Sequence, residues 1–165
     1  MKAIVVYESL WGNTAALARA IAEGIGGGTR AVSTGEAGAE ALAGVDLIVA
    51  GAPVLGFRLP TEEMRRSVLT TERRAPKPAD LSHPSMRAWL DTVPAGRCSF
   101  AAFESGLWWS PGGATKSIAE KMAAAGYSEV VKGRRFVVRG RYGPLRDGEL
   151  DKARSWGAEL ARTLG

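Results

Sequence analysis

Residues 8–14 carry side chains that suit the binding of a phosphate group. Ser9 and Thr14 supply hydroxyl groups, Asn13 supplies an amide, and Gly12 permits a tight turn whose backbone N–H groups can point at one anion. A helical pattern begins near Thr14, so the N-terminus of that helix adds unpaired N–H donors and a partial positive charge. We therefore predict a phosphate loop that consists of Ser9, Leu10, Trp11, Gly12, Asn13 and Thr14.

Two other loops carry aromatic side chains in positions where a sheet core does not need them. The Phe57 loop, residues 51–60, offers Pro53, Val54, Leu55, Gly56, Phe57 and Arg58. The tryptophan loop, residues 104–113, offers Glu104, Ser105, Gly106, Leu107, Trp108 and Trp109. Aromatic faces above a phosphate loop make a slot for a flat heteroaromatic ring with a phosphorylated tail, and FMN is such a molecule. The alternative is that each aromatic side chain only covers the end of the sheet.

The elements that must position these loops are strands that alternate with helices. Apolar runs of strand length occur at residues 3–7, 29–32, 45–50, 98–103 and 136–138. Three of them are apolar nearly throughout, which is typical of parallel strands that are buried on both faces. Such an alternation predicts a doubly wound α/β domain, in which the loops after the strands meet at the carboxyl ends of the sheet.

The intervening segments predict five helices to match five strands. Helical spacing is clearest at residues 14–25 and recurs around Ile118 and Met122, and a last helix follows Asp147. Residues 61–96 are less regular, because charged residues and prolines interrupt any period before a short helix at 86–93. We interpret this segment as an elaborated crossover and predict a single domain over residues 1–165.

The stretch from Tyr7 to Thr14 resembles the phosphate loop of the flavodoxin family, and the resemblance extends over essentially the whole chain. Gly51-Ala52-Pro53, the tryptophan loop, Gly143-Pro144-Leu145 and Trp156-Gly157 are similar to segments of short flavodoxin-like proteins. This resemblance implies a flavodoxin-like doubly wound five-stranded parallel sheet in the order 2-1-3-4-5, with helices on both faces. It also implies that FMN binds non-covalently at the strand ends.

The chain departs from the family pattern in its phosphate loop and in its charge. The family usually has a third hydroxyl two residues after the first, where this chain has Trp11. Flavodoxins that shuttle electrons are strongly acidic, whereas this chain has a net charge of +5. A cation such as Arg58 within about 6 Å of the ring would favour added negative charge. We therefore expect a less reducing flavin than in acidic flavodoxins.

Composition excludes several classes of protein. No apolar run approaches the roughly 18 residues of a membrane span, and the start of the chain lacks the pattern of a secretion signal, so we expect a cytoplasmic protein without a membrane partner. No cluster of His and Cys suggests a metal. Nucleic-acid binding would rest on charge alone and is not expected. The cations between residues 132 and 146 are either a docking patch or the guard of an exposed sheet edge.

These features favour an FMN-binding redox protein that transfers electrons to a redox partner protein or a small-molecule acceptor. An FMN-dependent NAD(P)H or quinone oxidoreductase is the first alternative, although His83 is the one histidine and no acid–base pair lies near the predicted site. A flavodoxin-like interaction domain that binds no flavin is the second. A dinucleotide-binding dehydrogenase is disfavoured, because the cluster of glycines at 24–28 follows a helix and not the first strand.

Overall fold

A parallel β-sheet forms the centre of the computed structural model, which describes residues 1–71 and 73–165. The described residues form six strands and six helices. The strands are β1 (Ala3–Tyr7), β2 (Arg30–Ser33), β3 (Leu47–Pro53), β4 (Ser99–Gly106), β5 (Ser128–Glu129) and β6 (Arg134–Val137). The helices are α1 (Asn13–Ile25), α2 (Ala39–Leu42), α3 (Glu62–Thr71), α4 (Met86–Thr92), α5 (Thr115–Ala124) and α6 (Glu149–Leu164).

The strand order is β2-β1-β3-β4-β5, which confirms the predicted doubly wound topology. The outer position beside β4 differs from the prediction, because β5 and β6 share it. Strand β5 pairs with Ser99 and Phe100 at the start of β4, and β6 pairs with its last four residues. The predicted last strand corresponds to β6. Both residues of β5 are polar and exposed, so this strand has no apolar signal in the sequence.

Helices cover both faces of the sheet, as predicted. On β1, Val5 belongs to the cluster of buried side chains that α1 and α6 contribute to, whereas Val6 belongs to the cluster that includes residues of α4 and α5. This alternation follows from the two-residue period of a strand. Helix α1, which follows β1, packs on one face, and α4, which comes after β3, packs on the other. The chain thus leaves β1 and β3 towards opposite faces, and a crevice opens between the carboxyl ends of these two neighbouring strands.

Helix α3 lies in the segment that the sequence predicts to be irregular. It buries only Arg65 and Val68, so its apolar stripe is too short to stand out in the sequence. Val68 belongs to a third, smaller cluster of buried side chains together with Leu10, Trp11 and Leu55. This cluster packs α3 against the phosphate loop and the Phe57 loop.

Two helices cross closely at glycines. A Cβ atom at Gly157 of α6 would overlap the backbone carbonyl of Ile21, and one at Gly24 of α1 would overlap the carbonyl of Arg154. Backbone atoms cannot rotate away as side chains do, so only glycine permits this distance between α1 and α6. Because α1 starts at the phosphate loop, this crossing also fixes how that loop sits on the sheet.

Two further observations concern membrane-spanning helices and metal ligands in the described part of the chain. Among its helices none is both long and apolar enough to cross a membrane. Within the same residues, no group of three or more His, Cys, Asp or Glu side chains is placed to hold a metal ion.

The crossing of α1 and α6 predicts that Gly157→Ala destabilises the fold. An added methyl group must push the helices apart, and overpacking of this kind costs about 1–3 kcal/mol even though alanine is the better helix former. Urea unfolding measures the change. Ser155→Ala, on the exposed side of the same helix, is the control and should leave the free energy of unfolding unchanged or slightly higher. Equal stability of the two variants would contradict the close crossing.

Candidate functional site

The three predicted loops meet around one cavity at the carboxyl ends of β1, β3 and β4. Its volume is about 330 Å³, within the range of small-molecule sites. The lining includes every predicted site residue except Gly12, Arg58, Glu104 and Trp108. Because strands β1, β3 and β4 are neighbours and parallel, the sheet itself brings these distant segments together.

The side chains of the phosphate loop are held in defined hydrogen bonds. Ser9 Oγ accepts the backbone N–H groups of Gly12 at 3.1 Å and Ala15 at 3.2 Å, which shapes the turn. Thr14 Oγ1 lies 2.8 Å from Ser105 Oγ. A hydroxyl group accepts two hydrogen bonds and donates one, so the Ser9 hydroxyl hydrogen stays available to an anion. One hydrogen of the Thr14 and Ser105 pair stays available in the same way.

The backbone of the phosphate loop adds further donors. Gly12 precedes helix α1 with a φ of 98°, a conformation that favours glycine. Because glycine has no side chain, the residue at this position does not cap the helix. The N–H groups of Asn13 and Thr14, in the first turn, have no intrahelical acceptor. The described lining residues include no carboxylate. This set of neutral donors at a helix N-terminus fits a phosphate group.

A tight turn presents Phe57 at the mouth of the cavity. The Leu55 N–H donates to the Arg58 carbonyl at 3.0 Å and the Arg58 N–H donates back at 3.2 Å, while Gly56 and Phe57 have φ values of 55° and 66°. Positive φ at both central residues is the requirement of a type I′ turn. For a bulky residue this conformation costs roughly 1–3 kcal/mol. The Phe57 carbonyl accepts the Gly113 N–H at 3.0 Å, which joins this turn to the tryptophan loop.

Glu104, the first residue of the tryptophan loop, joins this loop to the start of α5 and to Arg135. Its buried carboxylate accepts the backbone N–H groups of Ala114 at 2.6 Å and Thr115 at 3.0 Å, where α5 begins. It also accepts a 2.7 Å hydrogen bond from Arg135 Nε. The sequence places Glu104 among the cofactor contacts, but in the structure its carboxylate is engaged by α5 and Arg135, and the residue lies outside the cavity lining.

Arg135 completes this support, and sequence reasoning missed its role. Its guanidinium group donates to the carbonyls of Leu107 at 2.9 Å, Ser110 at 2.7 Å and Gly112 at 2.9 Å. These three carbonyls span the tip of the tryptophan loop, so one side chain fixes the course of its backbone. The sequence groups Arg135 with the cations of a sheet edge. Its neighbour Arg134 is exposed, as that interpretation requires, whereas Arg135 is half-buried.

The aromatic side chains divide between the lining and the surface. Trp109 lines the cavity and meets Phe57 edge to face, with ring centroids 6.4 Å apart. Trp108 is 69% exposed and lies outside the lining. Arg58 is exposed and also lies outside it, so its effect on a flavin potential stays a prediction. Phe57, Trp108 and Trp109 together leave an exposed apolar rim around the mouth.

A buried polar cluster lies behind the phosphate loop. Glu8 accepts the Met86 N–H at 2.9 Å, and its second oxygen is 3.1 Å from Arg65 Nε without the alignment of a hydrogen bond. Burial raises the pKa of Glu8 from 4.5 to about 7, although the Met86 N–H and Arg65 oppose the rise. His83 Nε2 accepts the Ser9 N–H at 3.1 Å, and burial lowers the pKa of His83. A neutral His83 therefore holds the start of the phosphate loop.

A fourth segment, which the sequence does not assign to the site, also reaches the cavity. Its residues Val138 and Arg141, together with Ser110 of the tryptophan loop, complete the lining of the cavity. Val138 and Arg141 follow β6, whose carboxyl end lies at the same edge of the sheet as those of the other strands. The predicted last strand at 136–138 was the available signal, because in a parallel sheet of the predicted order it places the loop that follows it beside the tryptophan loop.

Comparison with known proteins finds structural likeness without sequence matches. No protein-family model and no curated protein sequence matches the chain. A flavodoxin from the domain Archaea is 24% identical, with a TM-score of 0.67 over 99% of both chains. Oxidised flavodoxin 1 from Bacillus cereus is 17% identical, with a TM-score of 0.67 over 100% of both chains. A WrbA-like flavodoxin protein from Agrobacterium tumefaciens is 18% identical, with a TM-score of 0.58 over 99% of both chains. The implied resemblance is thus confirmed as a likeness of fold.

The role of Arg135 predicts that Arg135→Ala destabilises the protein by about 2–4 kcal/mol, because it leaves Glu104 buried with fewer partners and releases three loop carbonyls. Urea unfolding measures this loss. Arg134→Ala is the matched control, since Arg134 is exposed, pairs with exposed Glu159 at 3.6 Å and otherwise only lies over the Phe136 ring at 5.9 Å. That control should change stability by less than about 1 kcal/mol. Equal effects of the two substitutions would show that Arg135 does not support the loop.

The raised pKa of Glu8 predicts that stability falls as the pH rises from about 4.5 to 7. In this interval the unfolded chain has released the proton that the folded protein keeps. A rise in pH therefore lowers the free energy of unfolding, by on the order of 3 kcal/mol over the whole interval. His83 acts in the opposite direction, because its lowered pKa costs stability as the pH falls below 6.5.

Glu8→Gln isolates the carboxylate, since this variant keeps His83. The difference in free energy of unfolding between wild type and Glu8→Gln, measured from pH 4.5 to 8, should shift against the wild type as the pH rises. A difference that does not change with pH would mean that Glu8 is ionised in the folded protein throughout.

Proposed function

We propose that this chain, whose fold is that of the flavodoxins, binds FMN non-covalently and acts as a redox protein that transfers electrons. The observation that carries the proposal is that one cavity combines neutral donors suited to phosphate with aromatic side chains. A phosphorylated molecule with a flat ring satisfies both features at once. The fold alone does not require this combination, because it depends on the residues of three separate loops.

The residues divide the binding between them. Ser9, Asn13 and Thr14 would hold the phosphate with side-chain and backbone donors, while Phe57 and Trp109 would pack against the ring. Bound FMN would supply one- and two-electron chemistry, and the protein would supply its position and electrical environment. The turn at Phe57 is already bonded to the tryptophan loop, so little reorganisation is needed on binding.

The lining favours electron transfer over catalysis by proton transfer. Among its described residues are serine, threonine, asparagine and Arg141, but no carboxylate, histidine, cysteine or lysine. Groups whose pKa lies near the working pH are the usual general acids and bases, and none stands there. The apolar rim of Phe57, Trp108 and Trp109 suits contact with a redox partner protein, because exposed aromatic side chains are enriched at interfaces.

The visible absorption spectrum of the purified protein, before and after addition of FMN, tests the proposal. We expect a flavin spectrum or, for a protein purified without its cofactor, quenching of FMN fluorescence and a higher melting temperature on titration. A colourless protein that neither quenches FMN nor gains thermal stability would instead indicate an interaction domain without flavin. Oxidation of NADH or NADPH in the presence of a quinone would favour the oxidoreductase alternative.

Thr14→Ala should weaken FMN binding by about 1–3 kcal/mol, because it removes a hydroxyl group beside the phosphate and the partner of Ser105. Fluorescence titration with FMN measures the change. Thr163→Ala near the end of α6 is the control, since its hydroxyl only bonds the Glu159 carbonyl. Unchanged FMN affinity in Thr14→Ala would limit Thr14 to joining the phosphate loop and the tryptophan loop.

A further inference from the structure

Arg141 is the one cation among the described residues that line the cavity, and it lies on the segment that covers the phosphate loop. We propose that Arg141 is a charged clamp for the flavin phosphate and makes this site selective for phosphorylated over unphosphorylated flavin. The proposal rests on FMN binding as proposed above. It assigns the phosphate a partner outside the phosphate loop, which the sequence does not indicate.

Three contacts fix the segment that carries Arg141 on the phosphate loop. The rings of Trp11 and Tyr142 meet edge to face, with centroids 4.9 Å apart. Asn13 Nδ2 donates to the Tyr142 carbonyl at 3.0 Å. Gly143 lies so close to the Asn13 amide that a side chain at this position would overlap it. Arg141 is therefore held beside the phosphate loop by the backbone of its immediate neighbours.

This arrangement gives Trp11 a role. Trp11 stands where flavodoxins usually have a hydroxyl that can bind the phosphate, and it is buried. Its ring packs against Tyr142, the residue next to Arg141. The loop thus lacks one neutral donor, and the residue that replaces it anchors a segment with a guanidinium group.

The charges around the phosphate end support an anion with more than one negative charge. A phosphate monoester has a second pKa of about 6 and carries close to two negative charges at neutral pH. The described lining contains no carboxylate to oppose it. Lys77 Nζ lies 3.7 Å from the position that a Cβ of Gly12 would take, so a second cation approaches the same loop from outside. A guanidinium group can also bond two phosphate oxygens at once.

The test compares FMN with riboflavin, which has the same ring system but no phosphate. Wild type, Arg141→Ala, Arg141→Lys and Arg139→Ala are each titrated with both flavins, and quenching of flavin fluorescence gives the dissociation constants. Arg139→Ala is the matched control, since it removes the same charge from the same segment. Arg139 pairs with exposed Asp147 at 3.0 Å. Arg139 is not part of the lining.

We expect Arg141→Ala to weaken FMN binding by roughly ten- to one-hundred-fold and to leave riboflavin binding unchanged. Arg141→Lys keeps the charge and should lose less. Arg139→Ala should lose less than about threefold for either flavin. Added salt should weaken FMN binding more in the wild type than in Arg141→Ala, because Arg141 is exposed and its attraction to phosphate is screened.

The outcomes separate this inference from the function on which it rests. Equal losses for both flavins, or an FMN loss in Arg141→Ala no larger than in Arg139→Ala, would overturn the clamp while FMN binding stands. Failure of the wild type to bind either flavin would overturn the proposed function and the clamp with it. If wild type binds both flavins with equal affinity, the phosphate contributes nothing and the selectivity is wrong.

Discussion

The ion pair between Glu104 and Arg135 joins four parts of the molecule that meet at the cavity. Glu104 lies near the end of β4 and holds the first N–H groups of α5, while Arg135 of β6 holds the carbonyls of the tryptophan loop. Two strands, a helix and a loop thereby share one carboxylate and one guanidinium group. Such pairs are costly to bury unless their polar atoms are satisfied, and here five backbone groups hydrogen-bond to the two side chains in addition to the bond between them. The position of Trp109 depends on this pair.

The opposite end of the cavity is built in a different way. The phosphate loop uses neutral donors in front and keeps its titratable groups, Glu8 and His83, behind the backbone. His83 accepts the Ser9 N–H because burial keeps the ring neutral. These titratable groups therefore lie outside the cavity lining, which offers hydroxyl and N–H donors together with Arg141.

Local sequence patterns could predict those parts of the fold that local patterns determine. Strands β1, β3 and β4 stand out because burial on both faces requires continuous apolar runs, and α1 stands out through its buried stripe. Strand β5 has two polar residues and α3 has a short buried stripe, so neither element gives a recognisable hydrophobic pattern in the sequence. Residue type was enough to predict which three loops meet at the cavity. The contacts of Arg135 and Glu104 and the place of Arg141 in the lining could not be predicted in this way, since each depends on segments that lie far apart in the chain.

The backbone conformation of Phe57 lowers stability at the mouth of the cavity. Glycine or asparagine at this position would relieve the positive φ, so selection for stability alone would not retain phenylalanine. We therefore expect an aromatic residue at this position only where its ring serves the cavity mouth. In related proteins whose cavity binds no ligand, we expect glycine or asparagine at position 57. The identity of this one residue would then record whether a related protein still uses its cavity.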